Sequence, residues 1–215
     1  MRKTYPIIAK EGWSFTALAF VIALSSTLLK APIWILVLLW IIFCFVLQFF
    51  RDPKRVPATE EPLDILAPAD GKVIVVENAK DPYLDRETVR ICIFMNPFNV
   101  HSNKSPYDGQ IINKAYYTGS FLNAALDKAA EQNERNALIM NTQHGDITFV
   151  QIAGFIARRI LCYANVGDTL ERGQRYGFIR FGSRVDIYLP TDVTVKVTIG
   201  NTVKSALTPI ASFKS

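Results

Sequence analysis

Three short segments of the chain hold the residue types that could do chemistry. Gly182-Ser183 interrupts an otherwise apolar, strand-like run at residues 177–186. A glycine in such a run ordinarily marks a bulge or a close backbone approach. It also permits a strained peptide bond whose carbonyl is open to the neighbouring hydroxyl. Residues 96–101, Asn-Pro-Phe-Asn-Val-His, place His101 in a loop just after an apolar strand. A lone histidine there is more often a satisfied structural residue than a catalyst. Residues 67–72, Ala-Pro-Ala-Asp-Gly-Lys, place Asp70 in an Asp-Gly turn before a strand, and in most proteins the turn is its whole role.

Other chemistries are excluded by what is missing. The chain has two histidines, His101 and His144, so imidazole chemistry must use one of them. Cys44, Cys92 and Cys162 share no CxxC spacing and form neither a disulfide framework nor a metal quartet. There is no P-loop, no GxGxxG after a strand, no HExxH and no GxSxG. The net charge of +5 suits an anionic partner, but no basic tract or aromatic signature points to nucleic acid.

The elements that must position these segments follow from composition. The chain is 215 residues long, 50% hydrophobic and only 20% charged, enough for one domain with a real core. Between Gly12 and Phe50 the only charged residue is Lys30. Residues 13–29 and 33–50 are two uncharged stretches, each roughly 25–27 Å long as a helix. Lys30-Ala31-Pro32 breaks them apart. They predict an N-terminal helical hairpin, residues 1–50, that spans or re-enters a membrane. Arg2, Lys3 and Lys10 on one flank and Arg51, Lys54 and Arg55 on the other place both ends in the cytoplasm. A cleaved signal peptide is the lesser reading, since a second apolar run follows at once.

After a proline-containing linker at residues 52–62 the pattern becomes β. Strands are predicted over 72–77, 88–95, 110–117, 137–142, 147–153, 156–163, 178–180, 185–189 and 193–199. A hairpin turn is predicted at His144-Gly145-Asp146, and a helix over 121–132 capped by Ser120. The fold class is therefore a mainly β (α+β) domain, residues 51–215, behind a membrane-anchoring hairpin.

The order and spacing of these segments carry a resemblance. Phe49-Phe50-Arg51-Asp52-Pro53 comes first, then Pro68-Ala69-Asp70-Gly71 and the His101 loop with Ser105-Pro106-Tyr107-Asp108-Gly109. Asn133-Glu134-Arg135-Asn136, Ile152-Ala153-Gly154 with Ala157-Arg158-Arg159-Ile160, and Phe181-Gly182-Ser183 complete the set. The chain resembles the phosphatidylserine decarboxylase proenzymes of the short, pyruvoyl-dependent type. Long members carry Leu-Gly-Ser and two loop histidines. Here the first of those positions is Phe98, so only His101 is carried over.

The resemblance implies a self-made cofactor. Decarboxylating an α-amino acid leaves a carbanion that needs an electron sink, and a carbonyl forming a Schiff base with the substrate amine supplies one. Ser183 is expected to attack the Gly182 carbonyl, and elimination and hydrolysis then leave a pyruvoyl group at position 183. A β chain of residues 1–182 and an α chain of residues 183–215 result. A serine hydroxyl needs a base within reach. His101 is preferred because His144 sits in the predicted turn, and Asp70 is expected to orient the imidazole. Neither a metal nor pyridoxal phosphate is expected. The implied partner is phosphatidylserine in the inner membrane, with the catalytic domain on the cytoplasmic side, and homo-oligomers are left open. Arg158 and Arg159 are candidates for substrate anions by charge alone.

Three other readings compete. Val166-Gly167-Asp168-Thr169-Leu170 with Gly173-Gln174 resembles the turns of lipoyl carrier modules, but no Met-Lys pair follows, so lipoyl- or hammerhead-like strand features are expected as fold kinship only. A membrane protein that cleaves itself only for assembly would lack the carbonyl. A pyruvoyl enzyme for a soluble amino acid would not need the apolar hairpin.

Overall fold

The computed structural model describes residues 6–57, 59, 61–125, 132–154, 159–180 and 183–214. The chain forms two compact units, Met1–Lys54 and Arg55–Ser215.

The first unit contains two helices, α1 (Trp13–Leu28) and α2 (Ile33–Phe49). Lys30 ends α1 in the left-handed conformation, φ 51°, and Pro32 opens α2. The helices touch through Phe20, whose ring lies 6.3 Å from Trp40 and 5.5 Å from Phe43. Trp40 Nε1 donates to Thr27 Oγ1 at 3.2 Å. Gly12 is required: a Cβ there would lie 2.1 Å from Phe50 Cγ. Their outer faces expose Leu18, Val21, Ile33, Val37 and Ile41, surface that water does not favour. Residues Lys10–Leu28 are long and apolar enough to cross a bilayer by length and composition, while Ile33–Phe49 is shorter.

The second unit is built from antiparallel strands. They are β1 (Asp64–Leu66), β2 (Gly71–Asp81), β3 (Arg86–Met95), β4 (Ser102–Lys104), β5 (Gly109–Tyr117), β6 (Arg135–Thr142) and β7 (Gly145–Ala153). Then come β8 (Ile160–Cys162), β9 (Thr169–Leu170), β10 (Arg175–Ile179), β11 (Ser183–Leu189), β12 (Thr194–Val195), β13 (Thr202–Val203) and β14 (Pro209–Ser212). Eight form one sheet in the order β13-β2-β3-β11-β7-β6-β5-β9. Two small sheets, β4-β10-β8 and β1-β14-β12, complete the unit.

Period-two alternation sets the two faces of the large sheet. Ile91, Ile93, Met95, Leu138, Met140, Ile147, Phe149, Val185, Ile187 and Leu189 enter the main core. On the reverse face Ala137, Val150, Ile152 and Tyr188 cluster instead. The reverse face also buries Arg184 and Asp186, joined by a hydrogen bond from Nη2 to Oδ2 of 2.7 Å. Burial pushes the nearby Cys92 thiol well above its ordinary range, with Asp186 adding to the shift, and Arg184 Nη2 donates to its sulfur at 3.0 Å.

The predicted strands are present where residues are described, most of them longer than expected. Residues 193–199 differ: the strand stops at Val195, and Asn201 Oδ1 accepts from Thr198 N to close a turn that contains Gly200, φ 98°. Ser120, the expected cap, pairs its backbone with Asn133 in a parallel bridge; residues 121–125 of the predicted helix are a loop and turn instead, and residues 126–131 lie outside the described residues. Residues 156–158 of the strand expected over 156–163 also do, and β8 lies in its described part.

One connection matters for chemistry. The chain leaves β10 in a small sheet and enters β11 in the middle of the large one, between β3 and β7. Ser183 is the first residue of β11 and is paired on both sides, to Met95 and to Ala153. After position 183, β11, β13 and β14 each pair with strands from before it. These pairings do not need a continuous chain between β10 and β11.

Candidate active site

Ser183 is fully buried, and its hydroxyl donates to the Met95 thioether, Oγ to Sδ 3.1 Å. Gly182 and Phe181 lie outside the described residues.

His101 follows the loop that leaves Met95. The loop is folded by two Asn side chains: Asn96 Oδ1 accepts from Phe98 N at 2.8 Å, and Asn99 Oδ1 accepts from Asn96 N at 2.8 Å. His101 is buried, with Nδ1 3.0 Å from the Asn99 carbonyl. A carbonyl can only accept, so this contact puts the ring proton on Nδ1 and makes Nε2 the basic nitrogen. The His101 carbonyl accepts from Ile179 N at 3.2 Å, tying the loop to the end of β10, four residues before Ser183. His101 thus lies six residues beyond Met95, the β3 partner of Ser183, and is bonded through its backbone to the strand that leads to Ser183.

His144 is remote. It lies in the turn between β6 and β7, where its ring stacks on Phe213 at 5.0 Å. Ser183 pairs with Ala153 at the far end of β7. Eight strand steps of about 3.3 Å put roughly 26 Å of β7 between them.

Asp70 is placed by Gly71, where a Cβ would meet the Phe94 carbonyl oxygen at 2.1 Å. The turn therefore needs glycine for close approach of β2 to β3. The carboxylate binds Arg55 through both oxygens, with Nη2 to Oδ2 at 2.7 Å. Its Oδ1 also accepts from Ser205 N at 2.8 Å. Arg55 donates in turn to the Ser205 carbonyl at 3.0 Å and hydroxyl at 2.7 Å. Asp70 spends its oxygens on these groups and not on the His101 ring. Arg159 is exposed, and Arg158 is outside the described residues.

Beneath Ser183 lies a buried polar chain. Asn136 Nδ2 donates to Gln151 Oε1 at 3.1 Å, and Gln151 Nε2 donates to Asn103 Oδ1 at 2.8 Å. Asn103 Nδ2 faces the same Met95 sulfur at 4.0 Å. A Cβ at Gly177 would sit 2.5 Å from Gln151 Nε2. Gly177 therefore lets β10 lie over the chain.

Sequence reading missed Arg55, Met95, Asn103, Gln151 and Ser205. Gln151 left one trace, a lone amide in the apolar run 147–153. Arg55 left none, being 15 and 150 residues from its two partners.

The described residues contain no group of His, Cys, Asp and Glu able to hold a metal ion. A buried serine thus stands at the head of a central strand, and the loop that carries a buried histidine is tied to the strand that precedes it. A profile described as phosphatidylserine decarboxylase matches residues 42–211. The "Phosphatidylserine decarboxylase proenzyme" of Aromatoleum aromaticum is 53% identical over 208 residues, covering 96% of each chain. That of Cupriavidus metallidurans is 54% identical, covering 98% of this chain and 97% of its own. That of Burkholderia cenocepacia strain J2315 is 52% identical over the full length of both. The chain belongs to the phosphatidylserine decarboxylase family.

Proposed function

We propose that this chain is the self-processing precursor of a phosphatidylserine decarboxylase, which removes carbon dioxide from phosphatidylserine and leaves phosphatidylethanolamine. The observation that carries the assignment is Ser183 itself, buried and directly after a glycine, at the head of β11 in a chain of this family. Ser183 Oγ is the nucleophile toward the Gly182 carbonyl. His101 Nε2 takes its proton, with Nδ1 held by the Asn99 carbonyl. Asp70 belongs to the same set by fixing Ser205, a residue of the segment that follows the cleavage point.

Cleavage gives a β chain of residues 1–182 and an α chain of residues 183–215. Position 183 fits a group made from its own serine, because pairing to Met95 and Ala153 would keep the new chain end in place. The pyruvoyl group supplies a carbonyl electron sink for loss of carbon dioxide from the amine-bearing carbon. No metal and no pyridoxal phosphate enter this scheme.

The apolar helices support a hairpin over residues 1–50 that spans or re-enters the membrane, with the domain of residues 51–215 on the cytoplasmic side of the inner membrane. A lipid substrate that stays in the bilayer fits such an anchor. The turn at Gly167, φ 94°, where Asp168 N donates to the Asn165 carbonyl, supports lipoyl- or hammerhead-like kinship of the strands.

Intact-mass analysis tests the proposal. The expected result is two fragments split between residues 182 and 183, with a keto group on the smaller, and one uncleaved chain for Ser183→Ala. Borohydride added with phosphatidylserine should fix the lipid amine to position 183. Cleavage of the Ser183→Ala chain at this point, or an adduct on a lysine of the large fragment, would overturn it.

A further inference from the structure

Resting on the decarboxylase reading of Ser183, we infer that the Ser183 end of the large sheet is a docking surface for an anionic phospholipid bilayer. Phe98 enters among the lipids, and Lys72, Lys204, Arg135 and Arg159 face their headgroups.

The strand registers sort the charged residues by end. Ser183 stands level with Met95 and Ala153, and the next row runs across the sheet through Tyr117, Arg135, Ile152, Arg184, Phe94 and Lys72. Lys204 follows Val203, which pairs with Gly71 at the same end. Arg159 precedes β8, whose Ile160 pairs with Ile179, four residues before Ser183. Lys72, Lys204 and Arg159 are exposed and Arg135 is half-buried, its guanidinium 4.4 Å from the centre of the Tyr117 ring. Among the described residues of the second unit, the carboxylates at this end are Asp70, which Arg55 holds, and Glu134, whose Oε1 accepts from Ile160 N.

The opposite end is acidic. Asp85 and Glu87 lie at the β2–β3 hairpin, Asp108 precedes β5, Asp146 follows the β6–β7 turn, Asp168 precedes β9 and Asp192 follows β11. Lys80, Arg86 and Arg172 lie there too, and Lys80 pairs with Asp85. Nine steps along β3 put roughly 30 Å between the two ends, well beyond the ~10 Å over which salt screens a charge. The acids therefore do not cancel the cations in the field felt by a surface near Ser183.

Phe98 supplies the apolar part. Its side chain is 67% exposed. A lone exposed aromatic is common. This one lies three residues after Met95, within roughly 11 Å of it along the chain, on a loop fixed by the Asn96 and Asn99 side chains. A fixed loop presents the ring with little further ordering on insertion. Tyrosine and cationic side chains on the same end match the headgroup level of a membrane. The chemistry calls for such a surface. Ser183 is wholly buried, and the substrate amine sits in a headgroup that its acyl chains keep in the bilayer. Cations at this end favour phosphatidylserine, which is anionic, over phosphatidylethanolamine, which carries no net charge. The rim orients the domain and does not anchor it, because a few screened charges and one ring hold weakly.

Photocrosslinking of the full chain tests the inference in vesicles of phosphatidylcholine and phosphatidylserine. Irradiating Phe98→p-benzoylphenylalanine should add one phospholipid mass to the fragment that carries residue 98. Phosphatidylcholine should be among the adducts, since the contact is with the bilayer and not only with substrate. Val166→p-benzoylphenylalanine, exposed at the acidic end, should add none. Lys72→Glu combined with Lys204→Glu should mature normally. It should lose on the order of tenfold in turnover of vesicle phosphatidylserine at low salt, and less as salt rises. Its turnover of short-chain phosphatidylserine dissolved as monomers should stay normal. Equal labelling at both positions, no lipid at position 98, or label passing to a second copy of the chain would overturn the inference. So would a loss of turnover that ignores salt or is equal on monomers, which marks damage to the site. A chain that is not cut after residue 182, or that leaves phosphatidylserine unchanged, removes the decarboxylase reading, while the labelling pattern still decides which end meets the bilayer.

Discussion

Arg55 grips Asp70 with two guanidinium nitrogens, and both residues reach Ser205 from a segment 135 to 150 positions later. The pair is nearly buried, with side chains 9% and 8% exposed. Arg55 begins the second unit, Asp70 precedes β2, and Ser205 lies beyond Ser183. The node therefore joins the two fragments that cleavage would create.

Removing one partner of a buried ion pair leaves the other charge stranded, which costs roughly 3–5 kcal/mol. Arg55→Met is therefore expected to lower the thermal stability of the matured protein and to let the 183–215 fragment dissociate at lower denaturant. Arg55→Lys keeps the charge but loses the two-point grip and should fall between. Size-exclusion chromatography at increasing urea reads this directly. Co-elution of the fragments in Arg55→Met at the same urea concentration as the unaltered protein would show that the node is not a clasp.

Gly177→Ala makes a second test. The added Cβ would meet Gln151 Nε2 at 2.5 Å and the Leu161 carbonyl oxygen at 2.6 Å. One neighbour is a side chain and the other is backbone, so β10 must shift. The expected cost is about 1–3 kcal/mol, in the range of overpacked cores. Adding Gln151→Ala should restore only part of it, since the Leu161 contact remains. Denaturant melts of the single and double variants would separate the two contacts, and full rescue would leave the backbone contact without effect.

How much of this was legible beforehand differs by element. The long strands were, because Val, Ile and Phe in β2, β3, β7 and β11 repeat with strand period and end in turn residues. β4 was not: Ser102-Asn103-Lys104 is polar throughout, yet wholly buried. Its burial comes from pairing with β10, 70-odd residues away, which no local pattern records. In the site, Ser183 and His101 stand out by residue type and context, and the His101 carbonyl is hydrogen-bonded to Ile179, four residues before Ser183. Asp70 was legible as a residue but not in its partners. Sequence logic aimed it at an imidazole, whereas the fold delivers a guanidinium and a backbone amide to it. Such partners follow from topology and not from spacing.

The second unit should lose stability below about pH 4. Burial alone would raise the Asp64 carboxyl, but hydrogen bonds from Lys196, Thr59 and Ser212 and the Lys196 charge outweigh it, leaving the carboxyl below the ordinary value of 3.8. A lowered folded-state value means the contribution is present above the unfolded value and is lost as pH falls through the folded one. Lys196 is over a third exposed, so the pair is worth at most about 1 kcal/mol. Asp64→Asn should be slightly less stable at pH 7 and should lose less between pH 5 and 3. Parallel acid titration curves for the two proteins would exclude Asp64 as a source of the acid limb.

The last prediction separates the two units. The strands and side chains around Ser183 all lie beyond Arg51, and the second unit closes its own sheets without residues before Arg55. Deleting residues 1–50 should leave self-cleavage intact, because none of the residues proposed for it is removed. The same deletion takes away the exposed apolar faces of α1 and α2, which carry residues such as Leu18 and Ile41. At roughly 25 cal/mol per Å² of apolar surface, two such faces dominate any partition into lipid. The truncated protein should leave the membrane fraction on flotation. Its activity on phosphatidylserine in bilayers should drop, with less loss on short-chain phosphatidylserine dissolved as monomers. Unchanged flotation would mean that a surface of the β domain holds the bilayer. Loss of cleavage on truncation would mean that the helices help to build the site, and would end the assignment of maturation to residues 51–215.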